Sequence, residues 1–313
     1  MNRILILRGG AIGDFVLTLP ALKLLRDRFP KAHLEILGYP QIAVLAERRF
    51  YADAIRSIES ASLAKFFARD AELPAELVRY FGGFDLIVSY LYDPEGILEN
   101  NLKRCGGATL LAGPSKLDNS AHAACQLARP LEALGLHLEN PAAFIYPSEE
   151  DRDLRRHHLE DRLKPVIALH PGSGSETKNW AIENWIELGG LLFSAGYALL
   201  VIAGEADDQR VRTLESAWNG KPVRFVKHQP LPQLAGLFEG GLFVGHDSGI
   251  SHIAAAAGAR CILLFGWTDP AIWAPANKDV TVLQARNGKL DELDAVSVFA
   301  AVKVSAGSEQ ARS

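Results

Sequence analysis

Short apolar runs of strand length alternate with helix-length stretches along almost the whole of this chain, and that rhythm admits few folds. Arg3–Leu7, His33–Leu37, Ala54–Ile58, Asp85–Ser89 and Thr109–Ala112 read as strands. Helical spacing falls between them, notably over Ile12–Phe29 and Ala121–Leu134. Leu17, Ala21, Leu24 and Leu25 share one face of the first helix, and Pro30 ends it. Near-continuous apolar strands joined by helices imply parallel sheet covered on both faces.

The rhythm breaks over residues 137–164, where Pro141 and Pro147 lead into "SEEDRDLRRHHLEDRLK", read as a linker followed by an exposed helix with a solvated Asp151-Arg152-Asp153. It restarts with strands at Val166–Leu169, Ala198–Ala203, Val223–Val226, Leu242–Val244 and Cys261–Phe265, and with helices at Ala181–Ala195 and Ile250–Ala257. The reading is therefore α/β: two Rossmann-like doubly wound domains, residues 1–147 and 148–305, with a tail at 306–313 that frays. Helical spacing puts Leu293, Val296, Phe299 and Ala300 on a buried face. Open parallel sheets bind ligands beyond the carboxyl ends of their strands, so two such sheets facing each other place a cleft between them.

The 313 residues are 48% hydrophobic, enough for large cores, yet no apolar run approaches the roughly 20 residues that span a bilayer. The first residues lack the charged, apolar and small-residue zones of a signal peptide, so the expected address is the cytoplasm. A net charge of −4 argues against a nucleic-acid partner. Cys105, Cys125 and Cys261 are odd in number and widely spaced, which suggests buried thiols rather than disulfides or a zinc site.

Three glycine-rich turns carry the chemistry. In "RGGAIGD", Gly9, Gly10 and Gly13 permit a tight strand-to-helix turn and place Asp14 in the first turn of the helix, where a carboxylate caps amides or does chemistry. In "LHPGSGSETKNW", Gly172, Ser173, Gly174, Ser175 and Thr177 offer N–H and hydroxyl donors to an anion, and Lys178 adds a point charge. In "FVGHDSGISHIAAAAG", Asp247, Ser248 and Gly249 open a helix of small residues whose N-terminus suits a diphosphate. His252 follows one turn later, facing either that site or the core. Glu205, after the strand Ala198–Ala203, can accept ribose hydroxyls or cap a helix, a role Asp207 and Asp208 fill equally well. Trp267 and Trp273 in "WTDPAIWAP" serve either packing or stacking.

These blocks, with "GAIGDFVLTLPAL", "AGEADD" and "LLFGWTDPAIWAP", resemble the glycosyltransferase family 9 heptosyltransferases in order and over nearly the whole chain. The resemblance implies a GT-B fold, with the acceptor held by the first domain and the donor by the second. It implies inverting transfer from a nucleotide sugar, ADP-heptose, without metal or other cofactor. Asp14 then matches the general base, Lys178 the lysine on the donor phosphates, and Glu205 the carboxylate near the nucleoside. Asp247, Ser248, Gly249 and His252 match the second donor loop, with Gly172 and Ser173 in the first and Gly10 and Gly13 in the acceptor-side turn. The partners implied are a nucleotide sugar and a lipid-linked or oligosaccharide acceptor of the lipopolysaccharide core, with peripheral contact at the cytoplasmic face of the inner membrane. Two departures stand out: Trp267 replaces a frequent proline, and Arg56–Arg69 holds only Arg56, Lys65 and Arg69 as cations, which points away from a phosphorylated acceptor. Another nucleotide-sugar donor, linked to UDP or GDP, or a non-catalytic nucleotide-sugar-binding scaffold, remain the alternatives.

Overall fold

The first apolar run forms β1 (Arg3–Arg8), whose Ile4, Leu5, Ile6 and Leu7 are all buried, as a central strand covered on both faces requires. The computed structural model describes residues 1–114, 116–159, 164–204 and 207–310, and the chain divides into two units, Met1–Pro141 and Ala142–Ser313. In the first, β2 (His33–Gly38), β3 (Ala54–Ser57), β4 (Leu86–Ser89) and β5 (Thr109–Ala112) join β1 in the order β3-β2-β1-β4-β5. In the second, β6 (Val166–Leu169), β7 (Ala198–Ala203), β8 (Val223–Lys227), β9 (Leu242–His246), β10 (Arg260–Phe265) and β11 (Val280–Gln284) run β11-β10-β9-β6-β7-β8. The strand pairings within both sheets are parallel. Each sheet reverses its strand order beside its first strand, between β1 and β4 and between β6 and β9, the places where open parallel sheets hold ligands.

The helices of the first unit are α1 (Ile12–Arg28), α2 (Pro40–Ala43), α3 (Ala75–Phe81), α4 (Ile97–Lys103) and α5 (Ala123–Ala128). Those of the second are α6 (Asp153–Leu159), α7 (Ile182–Ser194), α8 (Asp208–Ala217), α9 (Leu231–Phe238), α10 (Gly249–Ala256), α11 (Pro270–Trp273) and α12 (Ala295–Gln310). A core of the second unit stacks Trp185, Leu188 and Leu192 of α7 with Val298 and Val302 of α12, over Leu169, Val201, Val244 and Leu264 of the sheet. Burying each such aliphatic side chain contributes about 1.5–3 kcal/mol.

Several expectations need correction. The helix over Ala121–Leu134 is shorter: Pro130, which lacks an N–H, turns Arg129–Leu134 into a tighter 3₁₀ segment. β11 has no counterpart among the expected strands, because its residues are half-buried or exposed at the sheet edge and show no strong apolar run. Of the residues expected on the buried face near α12, Leu293 and Phe299 pack partly buried against the core, whereas Val296 is 58% exposed and Ala300 is exposed; the fully buried positions are Ala295, Val298 and Val302. That helix continues to Gln310, past the expected fraying at Ala306, and residues 311–313 lie outside the described residues. Cys261 is buried, but Cys105 and Cys125 are only partly so.

The charge-dense segment is anchored rather than solvated. Asp151 is buried, and its carboxylate accepts the Ser148 N–H while its own N–H donates to Ser148 Oγ. Arg152 makes a two-pronged ion pair with Glu239, at 2.6 and 2.9 Å. α6 itself has no buried residue, as expected of an exposed helix, and residues 160–163 lie outside the described residues. Ala142–Ile145 side with the second unit through hydrogen bonds from Ile145 N–H to Ala256 O and from Asn277 Nδ2 to Ala143 O. Among the described residues no helix is long and apolar enough to cross a membrane.

Leu264 lies in β10 with no exposure, so Leu264→Ala leaves a cavity and lowers unfolding free energy by about 2–5 kcal/mol. Val304→Ala, at a position 76% exposed, changes it by no more than about 0.5 kcal/mol. Denaturant unfolding of the two variants checks the core assignment.

Candidate functional site

The second unit gathers its chemistry where β6 and β9 lie side by side. The segment after β6 crosses the end of β9 and is tied there by His246, the last residue of β9, which is fully buried. Trp180 N–H donates to His246 Nε2 at 2.9 Å, so that nitrogen carries no proton. Nδ1 is then the donor to Gly172 O, 3.1 Å away. Burial depresses the imidazole pKa to about 3, which keeps the ring neutral. One side chain thus pins both ends of the loop "GSGSETKNW".

Within that loop Ser173 Oγ donates to Ser175 O at 2.7 Å, and the Ser175 and Thr177 hydroxyls lie 2.9 Å apart. A 3₁₀ turn at Glu176–Lys178 brings Lys178 back over β9, where its Nζ meets Asp247 Oδ2 at 2.6 Å. Thr268 Oγ1, from the segment after β10, donates to the same oxygen at 2.8 Å. Asp247 therefore fixes an ammonium that is 28% exposed. The next residue, Ser248, caps α10 by accepting the Ser251 N–H, and helix geometry leaves the Gly249 and Ile250 amides without an intrahelical acceptor. Ammonium and free amides together form an anion site of the kind that helix N-termini offer. His252 is buried one turn further along α10.

A second buried pair backs the loop. His170 Nε2 lies 3.4 Å from Asp207 Oδ2, which also accepts the Gly204 N–H at 2.8 Å. Burial alone raises the Asp207 carboxyl, but His170 and Gly204 outweigh it and hold the group below its ordinary value. A Cβ on Gly172 would stand 1.6 Å from Asp207 Oδ1, so only glycine fits that position. Glu205 lies outside the described residues. Trp267 is 64% exposed with its ring 5.5 Å from Lys178 Nζ, whereas Trp273 is half-buried.

In the first unit the β1–α1 turn reaches Gly10 at φ +89°, a conformation that favours glycine. Gly13 lies in the first turn of α1, and Asp14 Oδ2 accepts the Ala11 N–H at 3.0 Å. Among the described residues no donor reaches Oδ1. Arg8 donates to Asp14 O at 2.7 Å while its guanidinium sits 5.8 Å from the centre of the Tyr90 ring. Burial pulls the Arg8 pKa below its ordinary value against the opposing pull of Asp14. A cavity lies at the carboxyl ends of β4 and β5, lined by Ser89, Leu91, Asp93, Leu98 and Glu99 among others, and of these Leu91 reaches this turn. A Cβ on Gly9 would stand 3.3 Å from Leu91 Cδ2.

The structure thus unites Gly172, Ser173, Lys178, Asp247, Ser248 and Gly249 in one site of the second unit, and Gly10, Gly13 and Asp14 in one turn of the first. Sequence reasoning missed His246, His170 and Thr268. The signal for His246 was a lone polar residue closing the apolar run "LFVGH". Thr268 carried no signal, since its partner lies in another loop.

The family model for glycosyltransferase family 9 (heptosyltransferase) matches residues 118–303. Lipopolysaccharide heptosyltransferase 1 of Salmonella typhimurium is 28% identical over 180 residues, 56% of this chain and 55% of that protein. The match thus spans about half the length of that relative. Among solved structures, a glycosyl transferase family 9 protein from Veillonella parvula superposes with a TM-score of 0.81 at 20% identity, covering 97% of each chain. The E. coli heptosyltransferase WaaC with ADP does so at 0.75 and 17% identity, covering 97% of this chain and 99% of the other. The fold is that of these proteins, GT-B with two Rossmann-like domains.

His246 supplies a pH test. Its pKa is about 3 in the fold and near 6.5 unfolded, so between those values the unfolded chain binds the extra proton. The contribution is complete above about pH 6.5 and falls by roughly 1 kcal/mol per pH unit below it. His246→Asn is expected to be less stable at pH 7 but to lose less stability between pH 6.5 and 4.5, as read by denaturant unfolding; an unchanged slope contradicts the assignment.

Proposed function

Because the chain belongs to glycosyltransferase family 9, the heptosyltransferases, we propose that it transfers heptose from ADP-heptose to a hydroxyl of a lipopolysaccharide-core or related surface-glycan acceptor, with inversion. The observation that carries this reading is the Lys178–Asp247 ion pair, at 2.6 Å, seated between two amide-rich turns where the strand order reverses. That is a diphosphate site by charge and by geometry.

In the proposed step Asp14 takes the proton of the acceptor hydroxyl as its oxygen attacks the anomeric carbon. The bond from that carbon to the diphosphate breaks, and ADP departs with the electron pair. Lys178 and the Gly249 and Ile250 amides meet the charge that develops on the leaving group, in place of a bound cation. Asp247 and Thr268 keep the ammonium aimed, and Glu205 holds the nucleoside. The carboxylate of Asp14 suits the task because the Ala11 amide engages only Oδ2. Attack on the anomeric carbon from the side opposite the diphosphate gives inversion.

The acceptor binds in the first unit, by the cavity at the carboxyl ends of β4 and β5. Two of the three cations over Arg56–Arg69 are already engaged: Arg56 lies 3.8 Å from Glu35, and Arg69 pairs with Glu95 at 2.9 Å. This supports an acceptor with few phosphates at the reacting end. By its likeness to lipopolysaccharide heptosyltransferases we read the enzyme as cytoplasmic, with peripheral approach to the inner membrane where lipid-linked acceptors reside.

Asp14→Asn keeps the amide cap, because an amide oxygen still accepts from Ala11. It is expected to lose about 10²–10⁴-fold in turnover while ADP binds as in the wild type. Lys178→Ala is expected to lose the thermal stabilisation by ADP, which at roughly 100 times the dissociation constant amounts to about 2.7 kcal/mol. Stabilisation by UDP or GDP but not ADP would move the donor assignment, and near-full turnover of Asp14→Asn would remove the base.

A further inference from the structure

Resting on the donor site just described, we infer that Trp267 is the platform on which the transferred sugar lies, and that it sets which nucleotide sugars bind better than their nucleotide alone. Trp180, Trp185 and Trp218 are buried, and Trp180 and Trp185 have no exposure at all, whereas Trp267 leaves 64% of its surface in solvent. Core packing therefore does not account for it. Its ring centre lies 5.5 Å from Lys178 Nζ. The neighbouring Thr268 is tied to Asp247 at 2.8 Å, which holds the ring beside the ammonium.

The backbone on either side is also fixed. A Cβ on Gly266 would lie 2.8 Å from Gly288 O, and one on Gly288 would lie 3.2 Å from Trp267 Cα. These two glycines let the segments after β10 and β11 touch, and the contact supports the base of the indole from behind. A rigid, exposed aromatic ring beside a phosphate-binding lysine is a stacking surface.

Strand order decides which part of the donor meets it. Along the carboxyl edge the sheet reads β7, β6, β9, β10. The diphosphate site straddles β6 and β9, and Glu205, assigned to the nucleoside, follows β7. Trp267 follows β10, on the opposite side of the diphosphate. A nucleotide sugar runs nucleoside, diphosphate, sugar, so a donor whose diphosphate sits over β6 and β9 and whose nucleoside lies toward β7 carries its sugar toward β10. The indole then offers an apolar face to the sugar C–H groups and a negative π-face to the positive charge that gathers at the anomeric carbon during transfer.

Calorimetric titration of ADP and of ADP-heptose into wild type, Trp267→Ala and Trp267→Phe tests this. The side chain is largely exposed, so both variants should fold, and their thermal midpoints check that they do. Trp267→Ala is expected to weaken ADP-heptose binding about tenfold with ADP within twofold of wild type, and Trp267→Phe to recover most of the loss. Equal weakening of both ligands would put the ring on the nucleotide, and no weakening of either would leave it without a donor role; each overturns the inference while the donor site stands. Wild type that binds neither ligand overturns the donor site, and this inference with it.

Discussion

A neutral, buried imidazole organises the second unit of this protein. His246 accepts from the Trp180 amide and donates to the Gly172 carbonyl, at 2.9 and 3.1 Å. The loop between those residues cannot leave the end of β9 without stranding buried polar groups, each costing about 1–3 kcal/mol. Trp180 and Trp185 pack edge to face behind the ring, so the apolar core and the polar loop are one construction. Everything the loop presents, from the serine hydroxyls to the Lys178 ammonium, inherits its place from that pin.

The polar groups divide the work. His246 and Asp207 are buried and hold backbone, with His170 paired to Asp207; Lys178, Ser248 and the first amides of α10 meet the site. Asp247 belongs to both groups, since it is largely buried yet positions a partly exposed cation. In the first unit Asp14 combines the same two tasks in a single carboxylate. One oxygen completes the turn that Gly10 makes possible, and the other has no donor among the described residues. A carboxylate between two buried segments is thus explained by local capping, which engages one of its two oxygens.

Much of this was legible in the chain. The alternation of Arg3–Leu7, Ile12–Phe29 and His33–Leu37 specifies parallel sheet because strands buried on both faces leave no polar alternation. The turns around Asp14, Lys178 and Asp247 were readable because glycine next to a charged residue at a strand end is rarely neutral in meaning. What escaped depends on distance in the fold. Thr268 reaches Asp247 across 21 positions, and His246 reaches Gly172 across 74. The anchoring of Asp151 was hidden for the same reason: a run of charges reads as solvated until Glu239 is brought to Arg152 by the packing of α6 on α9. The buried face of α12 was half legible: Leu293 and Phe299 pack against the core, but apolar spacing alone could not show that Val296 and Ala300 stay exposed while Ala295, Val298 and Val302 are buried.

The claim at the centre of this account is that the crevice between β6 and β9 binds a diphosphate rather than a nucleoside or a bare sugar. Calorimetric titration of adenosine, AMP and ADP into the unaltered protein at one salt concentration measures that directly. The account predicts that ADP binds at least about tenfold more tightly than AMP, with adenosine weaker still, because the second phosphate is the one that meets both Lys178 and the α10 amides. Equal affinity for adenosine and ADP would contradict it.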